Sequence, residues 1–441
     1  MQDRHLRCSR RKFLASAAAL TLSTGAGSAA VDAPVAPRRL PDDVPAIEGR
    51  KPIAVVATVY RTMSHAYHIA NRFLFGYQLS GGLHVPRHYL ASMYLDQVPD
   101  NDLSDWLARD CGVKVTRNVA DALTANGKLA VDGVLLIGEH GNYPRNDKGQ
   151  ILYPRLELME QIAAVFRKTG HSVPVFNDKH LSYTFAKASR MVELAHELQF
   201  PLMAGSSLPV TWRRPELEPP LETPFEDALV AAYGPIEVYG FHALEALQVM
   251  LERRRGGETG VKAVTCLTGK DVWKAGDAGR WSWDLLRGAL RRSETVNPGD
   301  VRRNVGAFGV GSMPSTPATA FLVEYRDGTR GTVLLLNGHL QDFVFAGRVR
   351  GESRPLSCML HLPSPPGARF FDALVANIEK LLDNGRSPYP VERTVLTTGV
   401  LDSAMESHKR RGERIETPEL AVHYVAPADS GSLRGSVAAE G

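Results

Sequence analysis

The sequence predicts an α/β domain built on a parallel sheet, followed by an α+β domain with an antiparallel sheet. The first observation is the run Val173–Gly205, which goes strand, charged turn, amphipathic helix and strand, the order of a βαβ unit. The second is the continuous apolar segment Pro52–Val59, typical of a strand buried on both faces. The third is a set of alternating segments joined through Asp327-Gly328, a dipeptide that indicates a hairpin.

The length and charge of the chain limit the number of domains and the classes of partner that are expected. The chain has 441 residues, more than one hydrophobic core usually serves, so two domains are expected. Residues 1–30 hold five basic residues and one acidic residue, and the rest of the chain has 47 of each. Because basic and acidic residues are equal in number, the composition lacks the excess of positive charge that is typical of nucleic-acid-binding proteins. The three cysteines beyond the leader are widely spaced, which is neither a disulfide framework nor a zinc pattern.

The amino terminus predicts export. The run Ser9-Arg10-Arg11-Lys12-Phe13-Leu14 matches the twin-arginine pattern, and a short apolar run and small residues follow it. The predicted partner is therefore the twin-arginine export machinery, and the predicted location is periplasmic or secreted. Because that apolar run is too short to span a bilayer, no membrane span is expected after the signal is removed. The proline-rich residues 31–50 are predicted to form a linker.

Strands and helices alternate through the first domain. A helix is predicted over Ser64–Tyr77, and a second strand over His88–Asp96. The fourth strand, Val131–Ile137, ends in a loop that contains Glu139 and His140. The fifth strand leads into Asn177, Asp178, Lys179 and His180, and carboxyl ends of such strands face the crevice that binds ligands.

The second domain is predicted to begin near Ser206, after a crossover that contains Trp212 and Arg213. An alternating segment over Ala228–Gly240 predicts a strand, which runs into a helix that carries His242 and Glu245. The further strands and the two closing helices are predicted at Val261–Leu267, Phe321–Tyr325, Gly331–Leu336, Asp342–Val349, Leu356–Leu362, Phe370–Asp383 and Val391–Lys409. The final residues, 426–441, are predicted to be disordered.

Two short motifs in this order resemble a known family. Asp178-Lys179-His180 stands where the glucose-fructose oxidoreductase, inositol dehydrogenase and MocA (Gfo/Idh/MocA) superfamily has Glu-Lys-Pro. The run from Gly240 to Glu245 resembles the family's G-x-H-x-x-D, with Glu for Asp. The resemblance covers Lys51–Leu420 in element order. Trp273–Met313 matches poorly, which suggests an insertion.

The resemblance implies a Rossmann domain followed by an α+β domain with an open antiparallel sheet, whose exposed face could pair with a second copy. It also implies an oxidoreductase that transfers hydride between NAD or NADP and a sugar, glycoside or cyclitol hydroxyl. Lys179 and His242 take the acid–base roles, since histidine titrates near neutrality. The predicted ranges are 1–30 signal peptide, 31–50 linker, 51–205 Rossmann-like domain, 206–425 carboxyl-terminal α+β domain and 426–441 tail.

The turn after the first strand departs from the family. A dinucleotide-binding fold should carry G-x-G-x-x-G there, whereas residues 57–64 contain no glycine. Hydroxyl, guanidinium and carboxylate groups could still hold a cofactor, and the candidates are Thr58, Arg61, Ser64, Asp96, Glu139 and Asp178. The candidates for substrate binding are His140, His180, Trp212, Arg213 and Glu245.

Two alternatives stay open. Carboxylate and imidazole groups could converge to bind a divalent metal, with Glu139, His140, Asp178, His180 and His242 as the candidate ligands. With or without such a metal, the protein could be a non-redox or metal-assisted lyase or hydrolase acting on carbohydrate, which the missing glycine loop and the added His and carboxylate groups favour. The other alternative is a carbohydrate-binding protein without catalytic activity.

Overall fold

The computed structural model describes residues 49–307, 315–363 and 367–435. The predicted signal peptide and nearly all of the predicted linker lie outside these residues. Packing divides the described chain into two units. The first contains residues 49–142 and 157–176, and the second contains residues 143–156 and 177–435. Lys179, which the sequence assigns to the Rossmann-like domain, therefore packs with the same unit as His242.

The first half of the chain alternates strands and helices. Its strands are β1 (Lys51–Ala57), β2 (Tyr77–Leu79), β3 (Gly82–His84), β4 (His88–Leu95), β5 (Lys114–Thr116), β6 (Thr124–Ala125), β7 (Lys128–Leu129), β8 (Val134–Ile137), β9 (Val175–Asp178) and β10 (Leu202–Gly205). Its helices are α1 (His65–Phe75), α2 (Ser104–Cys111), α3 (Val119–Leu123), α4 (Arg155–Thr169) and α5 (Phe185–Glu197). The main sheet has the strand order β10-β9-β8-β1-β4-β5.

Burial explains the apolar run of β1. The strand lies between β4 and β8, parallel to both, and its residues from Ile53 to Ala57 are fully buried. A strand covered on both faces has no reason to alternate polar and apolar residues. Helix α1 begins after Ser64, whose Oγ accepts a hydrogen bond from Tyr67 N at 3.2 Å.

The second half forms a larger, mostly antiparallel sheet. Its strands are β11 (Trp212–Arg214), β12 (Phe225–Ala232), β13 (Val261–Thr268), β14 (Thr319–Tyr325), β15 (Arg330–Leu335), β16 (Phe343–Val349), β17 (Leu356–His361) and β18 (Ile415–Glu416), in the order β11-β17-β16-β12-β15-β14-β13-β18. Its helices are α6 (Val238–Leu251), α7 (Lys270–Asp277), α8 (Trp283–Leu290), α9 (Val301–Asn304), α10 (Phe370–Asn384) and α11 (Glu392–Lys409). The pair β12 and β15 is parallel, so the sheet is mixed rather than purely antiparallel.

Both faces of this sheet are covered. Val230 and its neighbours on one face join the core that contains α6 and α11, whereas Leu229 on the other face packs with α7 and α8. Trp281 is buried in this second cluster and donates from Nε1 to Val272 O at 2.9 Å. The segment predicted to be an insertion, Trp273–Met313, therefore contributes helices that cover the face expected to be open.

The carboxyl-terminal segment differs from its prediction. Residues 426–435 are ordered against the second unit instead of forming a disordered tail: Arg253 donates to Pro427 O and Ala428 O at 2.9 and 3.0 Å, and Leu433 N donates to Val210 O. The remainder of the predicted tail, 436–441, lies outside the described residues. Across the described ranges, no helix has the length and apolar character needed to cross a bilayer.

Candidate functional site in the second unit

The end of β9 and the turn that follows it, residues 177–180, form a buried polar segment. Asn177 donates from Nδ2 to the carbonyl oxygens of Asp178, Lys179 and His180, at 3.2, 3.5 and 3.3 Å. Lys179 has φ +64°, and its N–H donates to Gly205 O at 3.0 Å. All four residues of this turn are at most 3 % exposed. The turn is therefore held by its own amide side chain and by the end of β10.

His180 faces an arginine. Its Nε2 lies 2.9 Å from Arg155 Nη1, and its ring centroid is 5.2 Å from that of Phe241. Because a guanidinium can only donate, Nε2 accepts, and His180 is neutral with its hydrogen on Nδ1. Arg155 is fully buried and stacks over the Tyr153 ring at 4.8 Å. The structure thus places His180, a predicted substrate ligand, in an internal polar pair.

His242 and Glu245 lie on one face of α6, since residues three apart on a helix are neighbours. His242 is partly exposed, and its Nδ1 lies 2.9 Å from Ser206 Oγ. The rings of Tyr239 and Phe343 lie edge-on to the imidazole, with centroids 6.0 and 6.3 Å away. One nitrogen of the imidazole is therefore held by a hydroxyl group, and two aromatic rings pack around the imidazole.

Ser206 connects His242 to Glu245. Its N–H lies 3.1 Å from each carboxylate oxygen of Glu245, and its hydroxyl contacts Oε2. The preceding Gly205 has φ +126°, and a Cβ there would lie 2.6 Å from Glu245 Oε1. Only glycine adopts this conformation without strain and leaves room for the carboxylate. The sequence reasoning placed Ser206 at a domain boundary and missed this link, which joins residues 36 positions apart.

Burial changes the acidity of Glu245. The side chain is almost completely buried, and this desolvation raises the pKa of its carboxyl group to about 7. Hydrogen bonds from Ser206 and the charge of Arg393 act in the opposite direction, whereas the charge of Asp178 raises the pKa further. Glu245 is thus an acid that titrates close to neutrality, beside a histidine.

Replacing Glu245 by glutamine should change how stability depends on pH. Below about pH 4.5 the carboxyl group is protonated in both the folded and the unfolded state, so it does not lower the free energy of unfolding. Above the folded-state pKa of about 7 it is ionised in both states, and the full cost of burying its charge then lowers the free energy of unfolding. Between these two pH values the free energy of unfolding of the wild type should therefore fall by ~3 kcal/mol relative to that of Glu245→Gln. Urea unfolding across this pH range measures the difference. The exposed Glu193→Gln serves as the control, and parallel curves for all three proteins would contradict the assignment.

Helix α11 ties the strand ends together. Thr394 Oγ1 donates to Ala204 O at 2.8 Å, and Thr398 Oγ1 accepts from Leu181 N at 3.3 Å. One residue earlier, Arg393 forms a buried pair with Glu252. The helix thus supports the ends of β9 and β10 with hydroxyl groups that no local motif in the sequence marks as important.

In the first unit, the turn between β1 and α1 is closed by internal hydrogen bonds. Thr58 is fully buried and donates from Oγ1 to Glu139 O at 2.7 Å, while its N–H donates to Ile137 O. Ser64 Oγ accepts from Arg61 N at 3.3 Å as well as capping the helix. The hydroxyl groups predicted to hold a phosphate are therefore engaged within the protein. The turn does not fit the glycine-dependent mode of pyrophosphate binding.

The other cofactor candidates of the first unit lie at the ends of β4 and β8. Asp96 follows β4 and is exposed, at the position where this fold binds a ribose hydroxyl. Glu139 is buried, and His140, with φ +69°, has its ring centroid 5.4 Å from that of His65. The first unit thus has an exposed carboxylate where this fold binds a ribose hydroxyl, but it lacks the glycines of the usual pyrophosphate contact.

Two further predicted ligands of the substrate serve the packing of the second unit. Trp212 is buried on β11, with the Arg369 guanidinium 5.7 Å from its ring centroid. Arg213 donates to Leu217 O and Ser430 Oγ at 2.9 and 2.8 Å. Its guanidinium also pairs with Glu218. The contact with Ser430 ties Arg213 to the carboxyl-terminal segment.

The metal alternative gains no support. Among the residues that the structure describes, no three His, Cys, Asp or Glu side chains are grouped to hold a metal ion. Of the candidate ligands, His180 faces Arg155 and His242 faces Ser206 instead.

Comparison with known proteins identifies the fold. No protein-family model and no curated protein matches the chain. Among solved structures, it is similar to GenD2 from gentamicin A biosynthesis in complex with NAD, at 14% identity and a TM-score of 0.52, over 83% of this chain and 96% of that one. It is also similar to a probable dehydrogenase from Thermotoga maritima, at 12% identity and a TM-score of 0.51, over 84% of this chain and 99% of that one. The chain therefore shares the fold of these two proteins, an α/β domain followed by an α+β domain, as the sequence predicts.

Proposed function

We propose that the protein is an oxidoreductase that uses a nicotinamide cofactor and acts on a hydroxyl group of a sugar, glycoside or cyclitol. The observation that carries the proposal is the partly exposed His242, whose Nδ1 is held by Ser206 beside the buried Glu245. Oxidation of an alcohol requires a base for the hydroxyl proton, and the imidazole of a histidine suits this task near neutral pH. The fold shared with GenD2, which binds NAD, supports the cofactor class.

Lys179 is proposed as the second acid–base residue. Its backbone pairs with Gly205, which directly precedes Ser206, so the turn that carries the lysine lies beside the serine that contacts His242. An ammonium group in such a position can polarise a substrate oxygen. Export by the twin-arginine route, inferred from the amino terminus, would place this chemistry outside the cytoplasm.

One observation favours a second candidate, a non-redox lyase or hydrolase acting on carbohydrate. The β1–α1 turn lacks glycine and is closed by Thr58 and Ser64, which argues against the usual pyrophosphate contact. His242 would then supply the base, and Glu245 would act on it through Ser206.

The two candidates are separated by a search for the cofactor. Purified mature protein is denatured, and the supernatant is analysed by mass spectrometry for a dinucleotide; calorimetric titration with NAD and NADP follows. The first candidate predicts a carried nucleotide, or a dissociation constant below about 1 mM, in the range typical of enzyme substrates. A protein that carries no nucleotide and binds neither NAD nor NADP would exclude the oxidoreductase and favour the second candidate.

A further inference from the structure

We infer that Ser206 is a positioning residue, which is held by Glu245 and selects the tautomer of His242 that bears its hydrogen on Nδ1. The inference deepens the proposed function and rests on it for its catalytic meaning. Its basis is a three-membered chain in the second unit: Glu245 Oε2, the Ser206 hydroxyl and His242 Nδ1. All members except the imidazole are almost fully buried.

The donors and acceptors determine the direction of this chain. A serine hydroxyl has one hydrogen, and an ionised carboxylate can only accept, so the Ser206 hydrogen points to Glu245. Ser206 Oγ also accepts from Leu208 N at 3.3 Å. Toward His242 the oxygen therefore offers a lone pair, and the hydrogen of the 2.9 Å contact belongs to Nδ1. The imidazole Nε2 is then left with the lone pair that a base needs.

The surroundings of Glu245 hold this arrangement in place. The Ser206 N–H lies 3.1 Å from both oxygens, and Gly205 leaves the space that Oε1 occupies. The charged groups that act on the carboxylate are Arg393 on α11, which favours ionisation, and Asp178 at the end of β9, which opposes it. Above its pKa, Glu245 is thus an acceptor that Ser206 meets with both its N–H and its hydroxyl.

The catalytic consequence follows from the tautomer. With hydrogen on Nδ1, Nε2 can accept the proton of a substrate hydroxyl at once. With hydrogen on Nε2 the neutral imidazole could not act as a base at that atom, as in a triad whose orienting acid has been removed. Ser206 would therefore act on the reaction through His242, without touching the substrate.

Nitrogen NMR of the mature protein tests this inference without any substrate. Long-range proton–nitrogen correlation spectra of protein labelled with ¹⁵N-histidine are recorded about two pH units above the Glu245 pKa of about 7, and the His242 signals are identified by their loss in His242→Gln. The wild type should show hydrogen on Nδ1. In Ser206→Ala the ratio of the Nδ1–H to the Nε2–H form should fall about tenfold, the value of one hydrogen bond. Ser207→Ala, a buried serine next in the chain, should leave the ratio unchanged.

A second variant guards against misfolding of the first. In Glu245→Gln, an amide nitrogen at the Oε2 position would donate to Ser206 Oγ, so the serine hydrogen would turn toward Nδ1 and the same ratio should fall. A wild type with hydrogen on Nε2, or a folded Ser206→Ala with the wild-type ratio, would overturn the inference. Neither result depends on turnover, so failure of the oxidoreductase proposal would be seen separately, in the nucleotide experiment.

Discussion

Replacing Arg393 by methionine is expected to lower the free energy of unfolding by ~3–5 kcal/mol. The guanidinium is fully buried and donates from Nε and Nη2 to the two carboxylate oxygens of Glu252, at 2.8 and 2.6 Å. It also lies 4.4 Å from the ring centroid of Tyr389. Methionine fills much of the same space without charge. It would leave the Glu252 carboxylate buried, with the neutral Tyr424 hydroxyl 2.9 Å away.

Denaturant unfolding of matched variants measures this effect. Arg190→Met removes an arginine whose pairs with Glu193 and Glu197 are exposed to solvent, so it should change stability by less than ~1 kcal/mol. The double variant Arg393→Met with Glu252→Gln should recover part of the loss, because no charge is then left unpaired. A loss in Arg393→Met as small as that in Arg190→Met would show that the buried pair does not support α11.

The order of the elements could be predicted from the sequence because it depends on local patterns. The apolar run of β1 and the helical spacing over Phe185–Ala195 correspond to buried elements of the described chain. The start of a helix is harder to predict: the helix after β9 is capped by Thr184, whose Oγ1 accepts from Lys187 N. Several polar residues near that turn could act as caps, and packing decides among them.

Part of the candidate site was also predictable. Asp178, Lys179 and His180 were found from their place after a strand, and His242 and Glu245 from the second motif. All five lie in the second unit, where Asp178 influences the pKa of Glu245 and the ring of His180 contacts Phe241. Residue type and position relative to an element were enough to select them.

The supporting residues could not be found in this way. Ser206, Arg393 and Thr394 act through contacts with residues far away in the chain, as the pair of Thr394 with Ala204 illustrates. Such contacts leave no periodic pattern in the sequence. The ordered segment after Ala426 was missed for the same reason, since its partners Arg213 and Arg253 lie about 200 residues earlier.

Replacing His242 by glutamine is expected to lower the rate of alcohol oxidation by about 10²- to 10⁴-fold, the contribution of a general base. The glutamine amide can still form a hydrogen bond with Ser206, so the fold of the second unit should be kept, but an amide cannot take up a proton. The exposed His196 on α5 provides the control. His196→Gln should react within about twofold of the wild type, because that side chain has no part in the proposed chemistry.

The most direct test compares the wild type with these two variants in one assay. Reduction of NAD and NADP is followed by absorbance with a panel of sugars, glycosides and cyclitols, among them myo-inositol, and the affinity for the nucleotide is measured in parallel. We predict substrate-dependent reduction by the wild type and by His196→Gln, and a loss of about 10²-fold or more in His242→Gln at unchanged nucleotide affinity. Reduction by His242→Gln at the wild-type rate would contradict the assignment of His242 as the base.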